Sequence, residues 1–276
     1  MATLWNSYRY LVLRRVTQIG LLVLYFGANA WGWTILMGNL SSSRFLDFVP
    51  MSDPYAALQM LVAGAVLATD LLIGVAVVTV FYLLIGGRAF CSWVCPINMI
   101  TDAANFLRRK LEIDRIQGSK QPASRNMRYW ILALSLIISA IMGLTAFEFI
   151  SPISMVHRGI VFGLGFGWAA MLIIFLFDLF VLKNGWCGHV CPLGGFYSLL
   201  GKFSLIRVQH YEENCTLCMK CKTVCPEHQV LHMIGKKSLP VLSGECSNCA
   251  RCIEVCDDDA LGFSIRNLAE NKKTGE

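Results

Sequence analysis

Long apolar runs alternate with short polar connections up to about residue 185, and the chain turns polar after Lys202. Four runs, at roughly 17–37, 63–84, 129–146 and 161–181, reach or approach the ~20 residues a helix needs to span a bilayer. A single segment in lipid satisfies its backbone only as a helix, so each run is expected to be a transmembrane helix. Residues 206–265 have the pattern of a small soluble domain. Residues 266–276 offer little to bury and are expected to form a flexible tail.

Composition supports the membrane reading. Hydrophobic residues make up 55% of the 276 and charged residues only 15%, against about a quarter in soluble domains. Mean hydropathy is +0.55. The basic residues gather on alternate connections. Arg9, Arg14 and Arg15 precede the first run, and Arg88, Arg108, Arg109, Lys110, Arg115, Lys120, Arg125 and Arg128 separate the second from the third. The other two connections hold only Arg44 and Arg158. This excess orients the N-terminus, the middle connection and the C-terminus toward the cytoplasm. Ala28-Asn29-Ala30 has the form of a signal-peptidase site, but the apolar run continues through Trp31 to Leu36, which favours an uncleaved anchor. Topology accounts for the net charge of +6, so no nucleic-acid partner is expected. Trp31, Trp33, Trp168 and Trp186 suit interfacial anchoring.

An internal repeat organises these runs. Phe90-Cys91-Ser92-Trp93-Val94-Cys95-Pro96-Ile97 recurs as Trp186-Cys187-Gly188-His189-Val190-Cys191-Pro192-Leu193, 96 positions later. Asp53-Pro54 and Ser151-Pro152 recur in the same sense. Each half reads as helix, outer connection with proline, helix, C-x3-C-P. Two helices return the chain to its starting side, so the halves are expected to be parallel repeats about an axis along the membrane normal. Residues 1–205 would form this four-helix domain, with both C-x3-C-P motifs on the cytoplasmic face.

All twelve cysteines fall in four clusters. Two are the C-x3-C-P pairs. The other two are Cys215-x2-Cys218-x2-Cys221-x3-Cys225-Pro226 and Cys246-x2-Cys249-x2-Cys252-x3-Cys256, the latter followed by Asp257. Such regularity indicates metal or cluster ligands, which require a reducing compartment. Structural zinc favours separated ligand pairs, whereas triplets at steps of three wrap a [4Fe–4S] cubane and send the fourth cysteine to a neighbouring cluster. One cluster is therefore expected on Cys215, Cys218, Cys221 and Cys256, and the other on Cys246, Cys249, Cys252 and Cys225. The whole would be a mainly α membrane protein carrying a small α+β bacterial-type ferredoxin domain with two clusters.

Each C-x3-C-P pair puts two sulfurs on one helical face. Cys91, Cys95, Cys187 and Cys191 could together hold a further metal or cluster, form reversible disulfides, or dock a redox partner. Buried small residues with no redox role are the plainer reading of a single pair. His189, between two of these cysteines, could ligate a metal. Asp178 sits in the fourth apolar run, where a carboxylate is either functional or a helix-end group paired with a basic side chain. His157 and Arg158 on the outer connection could receive a quinone head group, although a solvated loop pair is the simpler explanation. Asp70 reads as interfacial.

The order of four apolar helices, two C-x3-C-P motifs and a terminal pair of cluster motifs resembles the ferredoxin-type membrane subunit of the periplasmic nitrate reductase system. The resemblance covers nearly the whole chain. It rests on Arg88 to Pro96, Gly185 to Pro192, Gly38-Asn39-Leu40-Ser41-Ser42-Ser43 and Leu176-Phe177-Asp178-Leu179. It implies a multi-pass protein of the bacterial inner membrane that takes electrons from quinol toward nitrate reduction. The implied partners are a periplasmic iron–sulfur protein and cytochrome c, with a cytoplasmic ferredoxin-type partner as a further candidate. The nitrate-reducing active site would lie on another subunit. Two other classes stay open: an accessory ferredoxin that supplies electrons for maturation of a periplasmic metalloenzyme, and a redox sensor or scaffold.

Overall fold

A long helix, α1 (Ala2–Trp31), opens the chain in a computed structural model that describes residues 2–113, 124–162 and 167–266. It starts well before the first apolar run and ends before that run is finished. Gly32 stops it by adopting φ +69°, a left-handed conformation that glycine reaches without steric cost. The remainder of the run becomes strand β1 (Leu36–Gly38), paired antiparallel with β2 (Ser42–Phe45), which pairs in turn with β3 (Val49–Ser52).

The second apolar run is also interrupted. Helix α2 (Pro54–Val62) is capped by the Asp53 side chain and ends before Gly64, at φ +83°; α3 then begins at Thr69 and runs to Ile85. Helix α4 (Ile97–Lys110) follows the first C-x3-C-P motif. The third run is α5 (Met127–Met142), followed by the short α6 (Ala146–Ile150). Then come α7 (Pro152–Phe162), α8 (Gly167–Leu176) and a π-helical turn, Phe177–Val181. Among the described residues, one helix, Tyr8–Trp31, is long and apolar enough to cross a membrane. Thr69–Ile85, Met127–Met142 and Gly167–Val181 are apolar but shorter. The 17 residues of α3 rise about 26 Å, slightly less than a ~30 Å hydrocarbon core.

Both C-x3-C-P motifs fold as π-helical turns, Phe90–Val94 and Trp186–Val190, each leading into an α-helix. The second leads into α9 (Pro192–Gly201). In that turn the Cys191 amide donates to the Trp186 carbonyl at 2.9 Å, an i→i+5 bond. The wider turn replaces the α-helical face expected for the cysteine pairs.

The C-terminal part holds an antiparallel pair, β4 (Ile206–His210) and β5 (Leu261–Ile265), and two short helices, α10 (Lys220–Val224) and α11 (Arg251–Glu254). Their core is Val208, Val230, Leu231, Met233, Ile234, Val241 and Leu261, against which the cysteine sulfurs pack. The chain as a whole is mostly helical. The tail beyond residue 266, and Arg115 and Lys120, lie outside the described residues.

Two compact units result. One comprises Met1–Arg14, Phe81–Ser92 and Tyr197–Glu276; the other comprises Arg15–Val80 and Trp93–Phe196. Within the first, residues 81–92 are built into the ferredoxin-like part. Phe90 stacks on Tyr197 at 5.2 Å, and Tyr82 packs edge-on against both. Gly87 faces the backbone of Tyr197 and Gly201 so closely that a Cβ would collide with both. Arg88 is buried and paired with Glu227 at 2.7 Å, and it also donates to the Glu245 carbonyl at 2.8 Å.

Several basic residues used above to orient the chain are thus internal. Arg14, Arg88, Arg108 and Arg128 are all buried, because each guanidinium serves the packing rather than a solvated loop. Within the second unit, Tyr55 is sealed between Phe147 and Phe196, with its hydroxyl 2.6 Å from that of Ser135. Gln59 accepts from the Phe147 amide at 3.0 Å.

Arg88→Ala would leave the Glu227 carboxylate buried without its partner, at a cost of about 3–5 kcal/mol. Thermal unfolding of the detergent-solubilised chain should show a large fall in midpoint. The double replacement Arg88→Met/Glu227→Leu should recover most of it, and equal losses in both variants would contradict this account.

Candidate iron–sulfur site

The two long cysteine motifs form loops of the same shape. Leu217 and Met219 flank Cys218 at φ +60° and +58°; Asn248 and Ala250 flank Cys249 at φ +47° and +60°. Left-handed backbone costs a non-glycine residue about 1–2 kcal/mol, so four such residues at matching positions mark loops held open for a purpose. Alternation of this kind turns amides inward as a concave donor surface. The backbone amides of Asn248 and Lys222 favour the thiolate forms of Cys246 and Cys221, and the Cys246 thiol donates to the Asn248 side-chain carbonyl at 3.5 Å. Met219 and Ala250 then start α10 and α11, which carry Cys221 and Cys252.

The cysteines sort into two neighbourhoods. Cys221 feels the charges of Cys256, Cys215 and Cys218; Cys252 feels most strongly those of Cys249, Cys246 and Cys225. A pocket is lined by Cys225, Cys246, Cys249 and Cys252 together with Val208 and Leu231. Among the described residues, no three His, Cys, Asp or Glu side chains converge closely enough to hold a single metal ion. Four cysteines lining one pocket, with backbone amides that favour their thiolate forms, suit a [4Fe–4S] cluster.

Burial governs the sulfur electrostatics. It raises the Cys221 thiol pKa, lifts Cys246 to about 11, and carries Cys252 well above the ordinary thiol value, with neighbouring cysteines adding to the effect. Arg207 and Arg88 act the other way on Cys246. Cys218, by contrast, is exposed. Around it Lys220 pairs with Asp257 at 2.6 Å, and Thr216 donates to Asp258 at 2.5 Å.

Four residues of this site escaped the sequence reading. Asn248 donates to the Ile85 carbonyl at 2.7 Å and the Ile206 carbonyl at 2.9 Å. Ser92 donates to the Ser247 carbonyl at 2.7 Å. Arg88 holds the backbone just before Cys246, and Arg207 lies buried beneath the same loop. Asn248 had a signal, since Asn tolerates left-handed backbone and stands where Leu217 stands in the other loop.

The C-x3-C-P cysteines divide between the two units. Cys91 belongs with residues 81–92, whereas Cys95, Cys187 and Cys191 belong to the second unit and are electrostatic neighbours there. Burial raises the Cys187 thiol pKa well above its ordinary value; Cys95, Asp178 and Cys191 raise it further, against a Thr101 hydroxyl 3.5 Å away. His189 is fully buried beside them, its pKa lowered by burial and by the charges of Arg125 and Arg128.

Asp178, also fully buried, accepts from the Trp186 amide at 2.9 Å and so anchors the second π-helical turn. Arg108 donates to the carbonyls of Asp178 and Leu179 at 3.2 and 3.0 Å. His157 and Arg158 sit on α7 rather than on a solvated loop. His157 is 6% exposed, packs edge-on to Tyr25 at 5.2 Å, and has its pKa lowered by burial and by Arg158. Asp70 is exposed and lies 3.7 Å from Arg44, on an open pocket with Phe48, Val49 and Ile73.

The fold and its paired cysteine loops define a ferredoxin-type iron–sulfur protein. A family profile described as "4Fe-4S dicluster domain" matches residues 207–267, and one described as "4Fe-4S binding domain" matches twice, at 67–114 and 164–208. The double match falls on the two C-x3-C-P halves. The chain is 43% identical over 270 residues to the ferredoxin-type protein NapH of Haemophilus influenzae, covering 95% of this chain and 92% of that one. It is 42% identical over 266 residues to NapH of Escherichia coli, covering 95% and 91%. Identity is again 42% over 266 residues to the methylamine utilization ferredoxin-type protein MauN of Methylorubrum extorquens, with the same coverage. No solved structure matches. The chain belongs to the NapH/MauN family of ferredoxin-type electron-transport proteins, which bind [4Fe–4S] clusters.

Thiol reactivity in the iron-free chain should follow this electrostatic order. Cys218 should be alkylated first and Cys246 among the last. With its pKa near 11, Cys246 is thiolate in only about one part in a thousand at pH 8, so its rate should rise about tenfold per pH unit up to pH 10. Peptide mapping after timed alkylation reads this directly, and a pH-independent Cys246 rate would contradict it.

Proposed function

We propose that the chain is the membrane electron-transfer subunit of a quinol dehydrogenase, relaying electrons from quinol through two [4Fe–4S] clusters toward periplasmic nitrate reduction. One observation carries this reading: within one compact unit, the first C-x3-C-P turn is hydrogen-bonded directly to the cysteine loops. Ser92 holds Ser247, and Arg88 holds Glu227 and Glu245. Those contacts bracket Cys225 and Cys246, and join the end of an apolar helix to a ligand loop. Similarity to NapH over 95% of the chain supports the nitrate assignment.

When bound, each cluster accepts and passes on one electron. The chain's residues do the rest. Cys215, Cys218, Cys221 and Cys256 would hold one cluster, and Cys246, Cys249, Cys252 and Cys225 the other; the two sulfur neighbourhoods support this crossed arrangement. Val208, Leu231 and Val241 keep water from the inner side of the loops. In this reading α1, α3, α5 and α8 with its π-helical turn cross the bacterial inner membrane as two parallel repeats. The termini and the ferredoxin-like part face the cytoplasm. Cys95, Cys187 and Cys191, neighbours within the second unit, would form a further redox site. The hydrocarbon core of about 30 Å then separates the clusters from a periplasmic iron–sulfur protein and cytochrome c, and quinol is the carrier that can cross it.

The equal identity to a methylamine utilization ferredoxin-type protein favours a second reading, in which the relay serves a system other than nitrate reduction, for instance electron supply for maturation of a periplasmic metalloenzyme. Proteoliposomes containing the chain, a quinol and the periplasmic partner separate the two. Quinol should produce the EPR signal of a reduced cluster and then reduce the partner. If quinol reduces neither, the dehydrogenase reading is wrong. Deletion of the chain would then leave quinol oxidation intact but the enzyme immature.

Crossed ligation has its own test. Cys256→Ser should remove the EPR signal that Cys218→Ser removes, and Cys225→Ser the one that Cys249→Ser removes. Each variant should retain about half the iron and sulfide. The opposite pairing would show that each loop closes on its own cluster.

A further inference from the structure

The two cysteine groups differ in what surrounds them. The group of Cys215, Cys218, Cys221 and Cys256 is the more open one: Cys218 is exposed, beside exposed Lys220, Asp257 and Asp258, and only Cys221 is buried. The group containing Cys246, Cys249 and Cys252 lies deeper, against Val208 and Leu231. Four thiolates leave a cubane cluster with net negative charge, and reduction adds one more. Burial opposes that addition, because charge in a low-dielectric site is poorly stabilised. A buried cluster with no nearby cation would therefore be far harder to reduce than an exposed one.

Arg251 is half-buried on the wall of the pocket these cysteines line, and two further arginines, both buried, lie beside the loop. Arg88 is neutralised by Glu227 at 2.7 Å. Arg207 is only 1% exposed. It donates to backbone carbonyls alone: Ser204 at 3.1 Å, Val241 at 3.3 Å, Ser243 at 3.2 Å, and Gly201. Among the described residues it forms no ion pair with a carboxylate. The Ser243 carbonyl that accepts from Arg207 also accepts from the Cys246 amide at 3.2 Å, so a single carbonyl lies between the guanidinium and that cysteine. Beside the more open group, by contrast, Lys220 is exposed and paired with Asp257.

We propose that Arg207 supplies the buried positive charge that keeps the Cys225/Cys246/Cys249/Cys252 cluster reducible, matching it to its exposed neighbour. The inference rests on the two-cluster reading above. Arg207 touches no reacting atom; it is a positioning residue that acts through charge. One electron enters from an external reductant and remains on the cluster, and Arg207 stabilises the added negative charge across the Cys246 loop. Neighbouring charge is one of the levers that set cluster potentials.

The test is an anaerobic redox titration of the detergent-solubilised full chain, with dithionite as reductant and EPR as readout. The signal that survives Cys218→Ser identifies the buried cluster. In Arg207→Gln that signal should move to more negative potential by at least tenfold in the reduction equilibrium, 59 mV for one electron, while the other stays within a third of that shift. Arg207→Lys keeps the charge and should restore most of the potential. If neither signal moves, or both move equally, the proposal is wrong. Should Arg207→Gln fail to fold, Arg207→Lys decides alone: a wild-type potential supports the proposal, and a full tenfold negative shift overturns it. A preparation with only four irons per chain would refute the two-cluster reading instead.

Discussion

Sulfur buried in a low-dielectric site resists ionisation, and this constraint shapes the ferredoxin-like unit. The thiols of Cys246 and Cys252 are pushed well above their ordinary pKa by their own burial and by one another. As thiolate ligands they need compensation from iron, amide donors or nearby cations. Each device has a visible cost. Leu217, Met219, Asn248 and Ala250 accept left-handed backbone so that amides can face inward. Arg88 and Arg207 are taken out of water to stand near Cys246. The small apolar core then fixes these strained loops in place.

The first C-x3-C-P turn takes part in that unit. Ser92 and Arg88 hold backbone carbonyls on either side of Cys246, and Arg88 holds the carboxylate two residues beyond Cys225. Its repeat partner is anchored by different means, with Asp178 accepting from the Trp186 amide and Arg108 holding the preceding π-helical turn. The two halves therefore share a local fold while differing in what supports it. Gly87, pressed against the backbone of Gly201, leaves room for the close approach that only the first half needs.

Much of this was legible in the sequence because thiolate ligation imposes strict spacing. Steps of three residues with one distant cysteine announce [4Fe–4S] binding, and the 96-residue offset announces the repeat. Apolar runs were a poorer guide to boundaries. Gly32 and Gly64 break the first two runs by taking positive φ, a choice that hydropathy does not register. Charge counting does not register that Arg14, Arg88, Arg108 and Arg128 are internal, because burial depends on partners elsewhere in the fold. Arg207 and Ser92 carried no local signal, because the contacts that tie them to the Cys246 loop, with Ser243 and Ser247, span more than thirty residues of chain.

The first unit is assembled from three separated stretches of chain, at the N-terminus, at 81–92 and from 197 onward. On a ribosome, Arg88 emerges long before Glu227, and β4 waits for β5 to supply Phe263 opposite Val208. Such long sequence separations make closure slow and late. Under the crossed ligation proposed above, iron delivery would be tied to late synthesis: a nascent chain exposes one full cysteine loop before the other exists, and each cluster needs a cysteine from both.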